Sequence, residues 1–128
     1  MFNHIMVGAN NIEVSKKFYD ASLGAIGYDL GHTDKKGRVW YRSKTGVFGI
    51  TKPIDGNPAS HGNGSTIAFL VESIEAGNKW HAAGIANGGT TCEDPPGVRK
   101  NGVYLAYLRD PTGNKLCALH RVHQLIKR

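Results

Sequence analysis

Short apolar runs, separated by turn-forming residues, alternate along this chain with two longer segments of helical periodicity. The apolar run at residues 2–8 indicates a strand. Residues 12–23 carry apolar side chains at helical spacing, and Asn10 and Asn11 precede them as candidate N-caps. Three more strands are predicted, at residues 28–31, 38–42 and 47–51. The first 52 residues therefore predict a strand, a helix and three strands.

The second half of the chain follows the same plan. Residues 66–71 indicate a strand, and Ser73 is the expected N-cap of a helix over residues 74–83 that ends at Gly84. The remaining predictions are a weak strand at 89–93, a loop at 94–102, and a hairpin of strands 103–109 and 115–121 around Asp110-Pro111-Thr112-Gly113-Asn114.

Residues 4–19 align without a gap with residues 66–81, so the chain contains a weak internal repeat. A repeat of about half the chain length indicates two equivalent modules, and ligands commonly bind in a cleft between such modules. We expect one α+β domain over 1–128, built of tandem βαβββ modules. The modules span about 1–52 and 65–121, and loop 53–64 joins them. The two copies differ at their first residue, which is His4 in one and Thr66 in the other.

The net charge of +6 over 128 residues favours anionic ligands. The Lys and Arg residues are dispersed, except for a basic stretch at 120–128 that we expect to be solvated, so no specific nucleic-acid partner is predicted. Two cysteines, Cys92 and Cys117, do not suggest a disulfide framework. Because there is neither an apolar run of about 20 residues nor a secretory signal pattern, we expect a cytoplasmic protein without a membrane partner.

Four stretches together resemble one known family. They are His4-Ile5-Met6-Val7, the helix segment with Phe18-Tyr19 before Leu23-Gly24, residues 64–69, and residues 107–116. In order and spacing the chain resembles the glyoxalase/bleomycin resistance/dioxygenase (vicinal oxygen chelate) superfamily, and especially its small stand-alone bacterial members. The resemblance implies curved, partly open barrels that enclose a pocket. It also implies a homodimer, with modules paired within a chain or across the dimer.

The resemblance also implies a site for a divalent metal, Zn, Ni, Mn or Fe, with ligands from the first and last strands of each module. His4 keeps the family's histidine, whereas Thr66 and Cys117 stand where histidine and glutamate are usual. The remaining position falls at about Ile50 or Gly49, and neither can ligate a metal. We therefore expect a degenerate site that binds metal weakly or not at all.

Three residues are candidate metal ligands: His4, Cys117 and His61. A Cys117 thiolate together with histidine would suit zinc, but Cys117 also fits a buried apolar position. His61 could replace the ligand lost at Thr66, or it could be an exposed loop residue.

A site without metal would use polar side chains that face the pocket. The candidates are Tyr41, Arg42, Tyr104, Tyr107 and Arg109. In related small members an aromatic-rich penultimate strand faces the pocket, which makes Tyr104 the first candidate for substrate binding and, with His4, for catalysis.

The other polar candidates have more than one possible role. Tyr107, Thr66 and Arg109 are further candidates for substrate binding. Arg109 or Arg99 could hold a carboxylate or phosphate, but Arg109 could instead pair with Asp110 in the turn.

The chain has two tryptophans. Trp40 and Trp80 are both expected in the core.

The resemblance and these residues together imply two functions. The first is a glyoxalase-like lyase, isomerase or dioxygenase acting on a small oxygenated or glutathione-conjugated molecule, with His4 as metal ligand or acid/base. The alternative is a metal-free protein of bleomycin-resistance type that binds an antibiotic or another small molecule. The basic charge weighs against cationic drugs. Nucleic-acid binding has only the net charge in its favour.

Overall fold

The computed structural model describes residues 1–122; the remaining residues of the basic stretch, 123–128, lie outside the described part. The first module contains β1 (His4–Gly8), α1 (Ile12–Gly24), β2 (His32–Thr33), β3 (Val39–Arg42) and β4 (Val47–Thr51). The second contains β5 (Ile67–Leu70), α2 (Ile74–Ala86), β6 (Thr90–Thr91), β7 (Gly97–Val98), β8 (Val103–Arg109) and β9 (Lys115–Arg121). The predicted α+β class and tandem βαβββ plan are confirmed. Neither helix in residues 1–122 has the length and apolar character to cross a bilayer.

Each module forms its own mixed sheet. The first has the strand order β1-β4-β3-β2, and the second has the order β5-β9-β8-β6, with β7 also paired to β8. The first and last strands of each module, β1 with β4 and β5 with β9, pair in parallel, and the other pairs are antiparallel. In the described residues β1 and β5 are therefore edge strands with one side free.

The internal repeat seen in the sequence is also a repeat of geometry. Helix α1 spans Ile12–Gly24 and α2 spans Ile74–Ala86, so each end of α2 lies 62 positions after the matching end of α1. The side chains of Asn11 and Ser73 cap these helices, and each accepts a backbone N–H three residues later at 3.0 Å. Such caps satisfy amide groups that would otherwise lack a partner in the first turn.

The sequence predicted that α2 ends at Gly84, but the helix continues to Ala86. A Cβ atom at Gly84 would collide with the Leu108 side chain, and one at Gly77 would collide with the Tyr104 ring. These glycines allow α2 to lie close against β8. The chain takes its left-handed turn only at Gly88, with φ of 99°.

The strand predicted at residues 28–31 is wrong. The backbone N–H of Gly31 donates to Asp20 Oδ1 at 2.9 Å, so a side chain satisfies the group that a strand partner would take. Strand β2 begins one residue later, at His32. The loop expected at 94–102 contains the two-residue strand β7.

One hydrophobic core contains buried residues of both modules, among them Phe18 and Tyr19 from α1 and Trp80 from α2. The buried carboxylate of Asp110 ties the modules together. Its Oδ1 accepts the backbone N–H groups of residues 112–114 at 2.9 Å. Its Oδ2 accepts the Tyr19 hydroxyl at 2.5 Å. The predicted hairpin turn therefore also anchors α1.

Candidate functional site

Each sheet has a face that packs on the helices and a face that does not, which we call the outer face. Side chains alternate between the two faces along each strand. The first outer face carries His4, Met6, Trp40, Arg42, Val47 and Gly49. The second outer face carries Ala68, Leu70, Tyr107, Arg109, Lys115 and Cys117, and Thr66 stands just before β5 on the same side.

Strand register makes the two outer faces comparable position by position. Gly49 lies opposite Met6 and Trp40, whereas Cys117 lies opposite Ala68 and Tyr107. Gly49 and Cys117 are thus equivalent, and so are the aromatic residues beside them. By the same registers Arg42 corresponds to Arg109. The fourth family ligand position is consequently Gly49, because Ile50 is fully buried on the helix side.

Trp40 dominates the first outer face. Sequence reasoning placed Trp40 in the core, but Val39 and Tyr41 take the buried side of β3, so Trp40 is half-buried on the opposite side. Its Nε1 donates to Asp34 Oδ2 at 3.0 Å. A Cβ atom at Gly49 would come 2.8 Å from two carbons of the indole, Cε3 and Cζ3. The missing side chain at Gly49 is what lets the indole lie there.

His4 and Arg42 stand beside this indole. The His4 ring meets it edge-on, with centroids 5.7 Å apart and planes at 81°. His4 Nδ1 lies 3.0 Å from Asn3 Oδ1, which favours the tautomer with an unprotonated Nε2. The Arg42 guanidinium carbon is 5.8 Å from the indole centroid. Both His4 and Arg42 are exposed.

The second outer face carries a cluster of titratable groups. The Lys115 ammonium lies 5.0 Å from the Tyr107 ring centroid and is paired with the Glu93 carboxylate. Burial raises the pKa of the Cys117 thiol. Burial, together with the nearby Cys117, raises the pKa of the Tyr107 hydroxyl. At neutral pH this face therefore offers a thiol, a phenol and an ammonium group.

Arg109 is already occupied by its own hairpin. Its Nη1 donates to the Gly113 carbonyl at 2.7 Å, so the arginine braces the turn through a backbone oxygen and not through Asp110. This bond leaves Arg109 less available for a ligand than Arg42.

Tyr104 and Tyr41 lie on the helix-facing sides of their sheets and not on the outer faces. Tyr104 is fully buried on the helix side, and its hydroxyl donates to Asn78 Oδ1 at 2.8 Å. Tyr104 and Tyr107 are three residues apart on one strand, so they must point to opposite faces. This odd spacing is therefore a sequence signal that only one of the two tyrosines can face a ligand. Tyr41 is also buried and donates to Asp20 Oδ1 at 2.8 Å.

The residues at the family's metal positions do not fit a divalent metal. They are one imidazole (His4), one hydroxyl (Thr66), a buried thiol with a raised pKa (Cys117) and a glycine (Gly49). Zinc and similar metals take three or four imidazole, thiolate or carboxylate ligands. No three His, Cys, Asp or Glu side chains in residues 1–122 form such a group.

His61, the third candidate ligand, lies in the loop that joins the modules. It lies against the hairpin turn, where a Cβ atom at Gly113 would come 2.5 Å from its Nδ1. A cleft of about 300 Å³ lies between this turn and β1, and Met6, Ser65 and Lys115 are among its lining residues. Residues from both outer faces thus line this cleft.

A family model and the solved structures point to the same family. Residues 1–118 match the family model of the glyoxalase/bleomycin resistance protein/dioxygenase superfamily. The chain is similar to a glyoxalase/bleomycin resistance protein from Albidiferax ferrireducens, with 64% identity and a TM-score of 0.91 over 94% of this chain and 98% of the other. No curated protein matches the chain.

More distant solved structures share the fold. A glyoxalase-related enzyme from Fulvimarina pelagi has 17% identity and a TM-score of 0.76, over 94% of this chain and 87% of the other. A lactoylglutathione lyase from Agrobacterium tumefaciens has 15% identity and a TM-score of 0.67, over 94% and 92%.

Proposed function

We propose that this chain, which belongs to the glyoxalase/bleomycin resistance protein/dioxygenase superfamily, binds a small organic molecule on its outer faces without a resident metal ion. The observation that carries the proposal is the chemistry at the family's metal positions. A glycine covered by an indole and a buried protonated thiol replace two of the four ligands. The same substitutions leave an aromatic and cationic surface that suits an organic ligand.

Several side chains on the outer faces would contact the ligand. Trp40 offers apolar contact area, and Arg42 offers charged donors. His4 would act as a hydrogen-bond acceptor through Nε2, and the Tyr107 hydroxyl would act as a donor. Thr66 would contribute its exposed hydroxyl at the start of β5. A binding role for these residues does not require a chemical step.

We also propose that two copies of the chain pair to complete the site. Strands β1 and β5 each have a free edge in the described residues, and unpaired edges readily accept another strand. Leu70 on β5 is 76% exposed, and Phe2, just before β1, is 69% exposed. Pairing of β1 with the β5 edge of a second copy would cover these side chains and place the two outer faces side by side.

The dimer has its own test. Sedimentation of the wild type should give twice the chain mass, and Leu70→Lys should shift the protein toward the monomer because it places charge at the covered edge. A wild type that remains monomeric at high concentration would contradict the pairing.

Calorimetry tests the absence of a metal. Zn, Ni and Mn are titrated into metal-free protein and into His4→Ala, and we expect no binding tighter than about 100 µM, or about −5.5 kcal/mol. Ligands found by thermal-shift screening should bind equally with and without chelator. The enzymatic alternative, a lyase, isomerase or dioxygenase, predicts instead one tightly held metal per chain, lost in His4→Ala, and turnover that depends on it.

A further inference from the structure

We infer that the first outer face selects a flat aromatic anion, which would lie against the Trp40 indole and place its negative group on the Arg42 guanidinium. This inference rests on the proposed binding function and names the ligand class for it. Indole and guanidinium together recognise two features at once, a conjugated ring and a carboxylate, sulfonate or phosphate oxygen.

The Trp40 indole is held in place before any ligand arrives. Its Nε1–H is bonded to Asp34, whose other carboxylate oxygen accepts the backbone N–H groups of Lys36 and Arg38 at 2.9 and 3.0 Å. Gly49 leaves room beneath the indole, and the His4 ring contacts the indole edge-on. A ring fixed in this way loses little conformational entropy when a ligand packs on it.

The Arg42 guanidinium, next to this ring, is available to bind an anion. In residues 1–122 the ion pairs join Lys16 to Asp20, Arg38 to Asp34 and Lys115 to Glu93, and none includes Arg42. A guanidinium group can form two parallel hydrogen bonds with a carboxylate or phosphate. The net charge of +6 adds a general preference for anions over cations.

The two indole N–H signals in an amide NMR spectrum provide the test. Trp40 lies on the outer face, whereas Trp80 is fully buried and reports that the core stays folded. The probe is 2-naphthoate, and its neutral analogue 2-naphthylmethanol and the non-aromatic anion cyclohexanecarboxylate are the comparisons. We expect 2-naphthoate to shift the Trp40 signal with a Kd of about 0.1–1 mM and to leave the Trp80 signal in place.

Two variants separate the contributions of ring and charge. Arg42→Gln should weaken 2-naphthoate about tenfold and leave 2-naphthylmethanol unchanged, because only the charged contact is lost. Trp40→Leu should weaken both ring compounds about tenfold or more, as followed by the amide signals of β1 and β4. Lys36→Gln, a charge change in the neighbouring turn, is the matched control and should change neither Kd.

The inference is overturned if 2-naphthoate leaves the Trp40 signal unmoved, or if Arg42→Gln weakens the neutral compound as much as the anion. A screened ligand that shifts outer-face amides elsewhere would then retain the proposed binding function and reject only this ligand class. If no screened ligand moves any outer-face amide, both proposals fail.

Discussion

The two outer faces differ most in the arginine that each of them carries. Arg42 and Arg109 occupy equivalent register positions, yet Arg109 is bonded to its own hairpin turn and Arg42 has no acidic partner in residues 1–122. The neighbouring aromatic residues differ in the same way. Each ring has a cation beside it, but the lysine beside Tyr107 is paired with Glu93, whereas the Trp40 ring also lies across a glycine. The arginine of the second face is held by its own hairpin, and the arginine of the first face is left open for a ligand.

The helix-facing sides show the opposite relation, because here the two copies agree. Gly77 and Gly84 of α2 correspond in the repeat to Ser15 and Ser22 of α1, and all four are buried. Both helices therefore carry small residues two turns apart at the same places. The repeat is therefore preserved in the size of these buried helix positions, and it is lost on the faces that would bind ligands.

The largest expected effect is at the shared packing positions. Gly77→Val should destabilise the protein by about 3 kcal/mol, because the new side chain must displace the buried Tyr104 ring. Urea unfolding measures the change. Gly24→Ala, also within a helix, is the matched control. A Cβ atom there meets nothing within 4 Å, so stability should stay the same or rise slightly. Equal losses in both variants would show that close packing on β8 is not the cause.

The next effect concerns the contact that joins the modules. Tyr19→Phe removes the hydroxyl that donates to the buried Asp110 carboxylate and should lower the free energy of unfolding by about 2 kcal/mol. The position equivalent to Tyr19 in the repeat is His81, which contacts Thr91 within its own module. His81→Gln should therefore cost less. A larger loss for His81→Gln would contradict the assignment of Tyr19 as the joining residue.

A smaller change in stability, with a clear change in binding, is expected at Gly49. Gly49→Ala places a methyl group where the Trp40 indole lies, at a cost of about 1 kcal/mol. The indole must move, so the Kd for 2-naphthoate should rise about tenfold. The equivalent change on the other face, Cys117→Ala, should leave that Kd unchanged. NMR titration of both variants makes the comparison.

The smallest effect is seen only at high pH. Burial raises the pKa of Tyr19 and of Tyr41, each of which also donates to a carboxylate. A raised pKa in the folded state means that this stability is complete below the unfolded value of about 10 and is lost as the pH rises above it. As the pH is raised, the tyrosinate absorbance of the folded protein should therefore increase at higher pH than that of the urea-unfolded protein. Coincident titration curves would show that these hydroxyls are not protected.

The accuracy of the sequence-based predictions depended on how local each signal was. The predicted bounds 47–51, 103–109 and 115–121 match β4, β8 and β9, because turn residues at 43–46 and 110–114 mark where these strands begin or end. The strand at 28–31 failed because a distant carboxylate, Asp20, satisfies the Gly31 backbone.

The candidate site was less accessible to sequence reasoning. Alternation shows that Tyr104 and Tyr107 point to opposite faces, but it does not show which face the helix covers. The same ambiguity placed Trp40 in the core. The bond between Arg109 and Gly113, which separates Arg109 from Arg42, depends on side-chain positions that no sequence pattern specifies.

The contacts of the Asp110 hairpin with the first module have a consequence for synthesis on the ribosome. Tyr19 and Asp110 are 91 positions apart, and the bond from Asn114 to the Gly8 carbonyl spans 106. While the chain is still growing, the N-terminal module has no acceptor for the Tyr19 hydroxyl and no donor for Gly8. Docking of the two modules therefore has to wait until residues 110–114 have emerged, and until then α1 exposes an apolar surface that a chaperone can recognise.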